Sequence, residues 1–225
     1  MSTAIETLAL PSTPLADKAH RLIVEAQEPI LANHSIRGFL FARAYAAARG
    51  LQPDQDYNEE NLFLICALHD IGLTESANGD QQFELDGADF AARFLEDNGV
   101  TDERVDLIWD GIAVHTNNFT ASPVYRRRRP AEIWIAAEGI GIDVGGSPGD
   151  LPPGFADLVH RAYPRLGGTP ALTRIVELQA LANPLKAPPC TLAGELVHQR
   201  HPELPYATLE MLFEHNSWDN SAGRD

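Results

Sequence analysis

Cysteine is scarce in this 225-residue chain. Cys66 and Cys190 are the only two, far apart and outside any Cys-x-x-Cys pair. That excludes a disulfide scaffold and a thiolate zinc site, and makes a reducing cytoplasm the expected setting. Basic residues are also few: 17 Lys and Arg face 32 Asp and Glu, for a formal charge of −15. A surface so negative repels phosphate backbones and anionic lipid, so neither nucleic acid nor membrane is an expected partner. No apolar run reaches the length of a membrane-spanning helix. Met1 to Leu10 lacks the basic stretch and apolar block of a secretory signal. β-Branched alternation, the mark of strands, is almost absent as well. What remains is ordinary globular material, 44% hydrophobic and 22% charged, rich in Ala, Leu and Glu.

These features predict an all-α fold. Thr13-Pro14 reads as an N-cap with proline in the first turn, opening a helix to about Glu28. A second helix runs from Pro29 to Ala48 and stops at Gly50. Asn58 caps a third, whose run Leu62-Phe63-Leu64-Ile65-Cys66-Ala67-Leu68 is apolar on every side and therefore central. Further helices are expected at about 84–97, 102–115, 130–143, 154–162, 170–182, 190–199 and 206–215. The Pro/Gly-rich stretch from Gly145 to Gly154 could act as a hinge, but the helices on either side are too few for separate cores. One helical domain over 1–225 is expected, with a core of about 13–215 and a flexible tail at 216–225. The run Arg126-Arg127-Arg128-Arg129 reads as a solvated loop ahead of Pro130, with a subunit contact or an anion site as the sharper alternative.

The third helix ends in His69-Asp70, and burying two ionisable groups there is costly without a partner. A bound cation is an efficient one, since it compensates the carboxylate and uses the imidazole lone pair. In the second helix Ile30, His34, Gly38, Phe41 and Tyr45 recur at steps of four or three, placing His34 on the buried stripe. Arg37, three residues on, is close enough to pair with a carboxylate near the same site. In the helix after Pro130, Asp143 continues the stripe Ile133, Ala136, Ile140, whereas Glu138 points away from it. Two imidazoles and two carboxylates suit zinc, manganese or ferrous iron. His115 follows Ile108 and Ile112 on one face, as either a core histidine or a proton-transfer group. Glu84 is either a catalytic acid or a first-turn acid favourable to its own helix dipole.

Asn33-His34-Ser35-Ile36-Arg37, Leu68-His69-Asp70-Ile71-Gly72 and a later Asp resemble the HD superfamily of metal-dependent phosphohydrolases and their relatives. His69-Asp70-Ile71-Gly72-Leu73-Thr74, Phe83-Glu84-Leu85-Asp86-Gly87-Ala88 and Asp143-x-x-Gly146 are similar to one branch, the HD-type cyanamide hydratases. The resemblance spans about Ile30 to Gly146. It implies an all-α bundle holding one divalent metal on His34, His69, Asp70 and Asp143. There are departures. Many HD phosphohydrolases carry Lys where this chain has Leu73. Only His115 lies between the His-Asp pair and Asp143, which favours a single metal over two.

From Leu51 to Ala92 there is no Lys or Arg, and a phosphoryl-transfer site usually needs such cations. The expected reaction is therefore hydration of a small neutral molecule such as cyanamide, with a nucleotide or phosphate-ester hydrolase as the alternative and a metal-stabilised binding protein as a third class. Asp70, Glu84 and His115 form the expected catalytic set, with Arg37, Thr116 and Asn117 as substrate-binding residues. The expected partner is a small molecule, and a homo-oligomer stays open.

Overall fold

A computed structural model describes residues 8–146, 149, 151–215 and 218. Eleven α-helices and no β-strand occur among them, so the fold is all-α. The expected tail at 216–225 lies outside the described residues except for Trp218, and part of the expected hinge does too.

Helices α1 (Pro14–Ala26), α2 (Pro29–Ala48) and α3 (Glu59–Leu68) begin where the capping signals put them. Thr13 accepts from the Ala16 amide and Asn58 from the Asn61 amide, each satisfying an orphan donor of the first turn. Along α3 every side chain from Leu62 to Leu68 is buried. This helix therefore sits at the centre, with α1, α2, α5 (Arg104–Ala113) and α7 (Ala131–Gly145) packed around it. Between the last two lies α6 (Pro123–Arg128), a short helix where a loop was expected. Ser122 accepts from the Tyr125 amide and Pro123 fixes the first turn, a start signal that the run of like charges hid.

Two close approaches position the site. Helices α2 and α7 cross where Gly38, Ala42 and Gly139 meet. A Cβ on Gly139 would lie 2.4 Å from the Ala42 Cβ and the Gly38 carbonyl oxygen, so only a bare backbone fits. After α3 the chain makes a 3₁₀ turn, Ile71–Leu73, against the start of α4 (Phe83–Asp97). There a Cβ on Gly72 would lie 2.0 Å from the Phe83 carbonyl oxygen. Glycine at 72 thus lets the His69-Asp70 corner sit directly on the helix that carries Glu84.

The C-terminal third adds α8 (Phe155–Ala162), α9 (Gly168–Ala182), α10 (Leu192–Arg200) and the short α11 (Leu209–Glu214). Helices α9 and α10 pack on the Phe83 end of α4 through a small satellite core that includes Val176, Ala180 and Ala193. Polar ties fasten them there. Gln179 Nε2 donates to the Gly72 carbonyl at 2.9 Å, and the buried Lys186 ammonium bonds both Asp86 and the Gly79 carbonyl. No helix among the described residues is long and apolar enough to cross a membrane.

Candidate metal centre

His34 comes from the middle of α2, and His69 and Asp70 from the end of α3. All three are buried. Their potential ligand atoms lie within 4.8 Å of one another. His69 Nδ1 donates to the Cys66 carbonyl at 2.8 Å, which leaves the lone pair on Nε2. That Nε2 is buried without a hydrogen-bond partner among the described residues and lies 3.2 Å from an Asp70 oxygen. An orphaned buried acceptor is unusual in a native interior, and here it faces a carboxylate. His34 Nδ1 donates to Asp143 Oδ2 at 2.7 Å, so its Nε2 likewise faces Asp70, at 3.8 Å. Two imidazole nitrogens and a carboxylate converge with lone pairs inward. The group fits a divalent cation of hard or borderline character.

His115 extends this arrangement. It follows α5, and its Nδ1 donates to the Ile112 carbonyl at 2.6 Å, repeating the bond that orients His69. Its Nε2 lies 3.9 Å from Asp70 Oδ1, and its ring meets the His69 ring edge-on at 4.8 Å. Burial, with the neighbouring His69, pushes the His115 pKa down to about 4. Burial opposes charge on His69 too, but the adjoining Asp70 carboxylate more than offsets it and raises that pKa. Burial would raise the Asp70 carboxyl, yet the charge and hydrogen bond of His69 hold it well below the usual range.

Asp143 is placed behind His34 rather than within the group of three. Its Oδ2 accepts from His34 and from Arg37 Nη2, the latter at 2.7 Å. Its Oδ1 accepts from Arg37 Nε at 2.8 Å and from Arg165 Nη1 at 3.0 Å. Burial alone would raise this carboxyl, but the bonds from His34 and Arg37 hold it well below the usual range. Both oxygens are thus engaged by cations and by the imidazole they orient. The same contacts give Arg37 the carboxylate partner expected of it. It is buried and spends its remaining Nη1 on the Tyr163 and Pro164 carbonyls.

His34, His69, Asp70, His115 and Thr116 line one cavity of about 200 Å³. Its other walls are chiefly apolar and include no Lys or Arg. Glu84 stands outside this lining. Its Oε1 accepts from Thr116 Oγ1 at 2.8 Å, so it touches the cavity through that hydroxyl. Burial raises the Glu84 carboxyl against these hydrogen bonds. Asn117 lines a second, more polar cavity of about 330 Å³, which shares His115, Thr116 and Gly141 with the first. Arg126 is held beside that second cavity by Glu138 and the Thr120 carbonyl, while Arg127, Arg128 and Arg129 are exposed.

Sequence reasoning missed Arg165 and the cavity walls supplied by α9 and α10. Arg165 lies in a loop 22 residues beyond Asp143, and no periodicity links the two.

The family model for the HD domain matches residues 31–143, just over half of the chain. Its limits enclose His34, His69, Asp70, His115 and Asp143. No curated protein matches the chain.

Proposed function

The chain belongs to the HD-domain family, whose superfamily comprises metal-dependent hydrolases. From that premise we propose that it is a hydratase, adding water across the carbon–nitrogen triple bond of a small neutral substrate of the cyanamide or nitrile type. One observation carries this reading: the cavity beside the metal donors is chiefly apolar and without a lysine or arginine in its walls. A phosphate-bearing substrate would meet no cation there beyond the metal. The nearby arginines are already engaged, Arg37 and Arg165 by Asp143 and Arg126 by Glu138.

His34 Nε2, His69 Nε2 and Asp70 would hold a single divalent ion, with zinc as the leading choice and manganese or ferrous iron meeting the same donor chemistry. Bound there, such an ion supplies Lewis acidity, which makes water a competent nucleophile near neutral pH. Asp143 acts through His34: by accepting from Nδ1 it fixes the ring and leaves Nε2 free to bind. His115 is the proton-transfer group. Its neutral Nε2 takes a proton from the attacking water as the oxygen–carbon bond forms, then returns it to the substrate nitrogen. With cyanamide this first transfer gives the isourea HO–C(=NH)–NH2, and passage of its hydroxyl proton to the imino nitrogen gives urea, with every atom retained. Glu84 orients the Thr116 hydroxyl by drawing its hydrogen, which turns the oxygen lone pairs toward an amino hydrogen of the substrate.

The test is a screen of metal-loaded protein against cyanamide, short nitriles, nucleotides and phosphate esters. Urea or amide formation is expected, with His115→Ala lowering kcat. Phosphate or nucleoside release without urea would overturn the proposal in favour of phosphohydrolysis.

A further inference from the structure

The cavity is larger than the reaction requires. Cyanamide has three heavy atoms, whereas an apolar cavity of roughly 150 Å³ already holds a benzene-sized guest. The whole cavity, with the metal donors among its walls, measures about 200 Å³, and apart from the Thr116 and Thr173 hydroxyls the rest of its lining is apolar. Phe83 closes one side, Ile140 and Val144 of α7 another, and Leu172, Val176 and Leu192 of α9 and α10 form the roof. The roof is held in place by the Gln179–Gly72 bond and by Lys186 on Asp86. Leu192 and Val144 are both exposed and mark the mouth.

Gly141 keeps the α7 side of the space open. It stands on α7 between Ile140 and Asp143, its backbone is exposed, and a Cβ built there would meet nothing within 4 Å. Gly139, two residues back and on roughly the opposite face of the helix, is instead tightly packed on α2. At 139 glycine admits a neighbouring helix. At 141 it leaves the flank of the cavity free for a substituent to enter.

We propose that the natural substrate carries an apolar substituent, about the size of a six-carbon ring or chain, which lodges under the α9–α10 roof against Gly141. The reactive end rests on the hydration reading above. The apolar pocket itself does not depend on it. Leu172, Val176, Leu192 and Gly141 then set specificity, and only Gly141 of these falls within residues 31–143.

The experiment has two arms. In the first, kcat/KM is measured for cyanamide and a series of N-alkyl cyanamides and nitriles of increasing length. Each added methylene that enters the pocket should improve kcat/KM by up to about fourfold, until the pocket is full. Gly141→Leu and Val176→Phe, from different helices, should each reduce the ratio of long-chain to parent kcat/KM by at least tenfold. Their melting temperatures show whether either has lost its fold, and the other variant then decides. In the second arm, toluene binding to the metal-free protein is followed by ligand-observed NMR. Binding by the wild type and its loss in Gly141→Leu are expected. A flat or falling series overturns the proposal while hydration stands. If no member is hydrated, toluene decides: binding abolished by Gly141→Leu upholds the pocket while hydration falls, and no binding defeats both.

Discussion

Three imidazoles face Asp70, and each has its other ring nitrogen committed. His69 and His115 give theirs to the carbonyl three residues back, while His34 alone gives its to a carboxylate. On the reading proposed above, that difference casts Asp143 as the group that positions His34, and it separates the roles of the two acids. Asp143→Asn keeps the shape but allows the His34 ring to lose its fixed tautomer, so metal affinity should weaken about ten- to hundredfold. His69→Ala or Asp70→Ala should abolish stoichiometric binding. Calorimetric metal titration of the three variants checks this, and equal loss in all three would make Asp143 a direct ligand. The placing of His34, His69 and Asp70 was legible because the first lies on a buried stripe and the others end a helix apolar all round. A carboxylate partner for Arg37 was legible too, but the engagement of Asp143 by His34 and Arg165 was not. Helical spacing puts a residue on a face, but which cations from other segments meet it there depends on the crossing of α2 and α7 and on a loop that carries Arg165.

At the scale of elements, helix starts were readable because Thr13, Asn58 and the prolines act locally. The joining of α9 to the rest was not readable, since its ties pair residues about a hundred positions apart in the chain, as with Gly72 and Gln179. The α9–α10 pair has its own electrostatic clamp. Glu177 of α9 accepts from Arg200 Nη1 at 2.6 Å and His201 Nε2 at 2.8 Å, and also pairs with Arg174. Hydrogen bonds from His201 and Arg200 lower the Glu177 pKa from 4.5 to about 2. The folded value is the depressed one, so this contribution is complete above about pH 4.5 and is lost as the pH falls toward 2. Wild-type protein should therefore lose more stability across that window than Glu177→Gln does. Denaturant melts at pH 5 and pH 2.5 measure the difference, and parallel losses would show that the clamp contributes nothing.

For the whole molecule, metal and fold should be linked. An ion bound only by the native state at about a hundred times its Kd stabilises it by roughly 2.7 kcal/mol. Stripping it with a chelator should then lower Tm by roughly 5–10 °C for a chain of this size. We read the chain as one cooperative domain. A single calorimetric transition that moves as a whole on chelation is the expected record, whereas an unmoved second transition would mark the C-terminal helices as a separate unit. The cavity nevertheless draws on distant stretches of chain, reactive groups from residues 34–116, one wall from residues 140–144 and roof from residues 172–192. Mutation can therefore act on them separately over the protein's history. Descendants that vary α9 and α10 can come to accept different molecules while inheriting the same chemistry, and kinship in the first stretch is then a poor guide to diet.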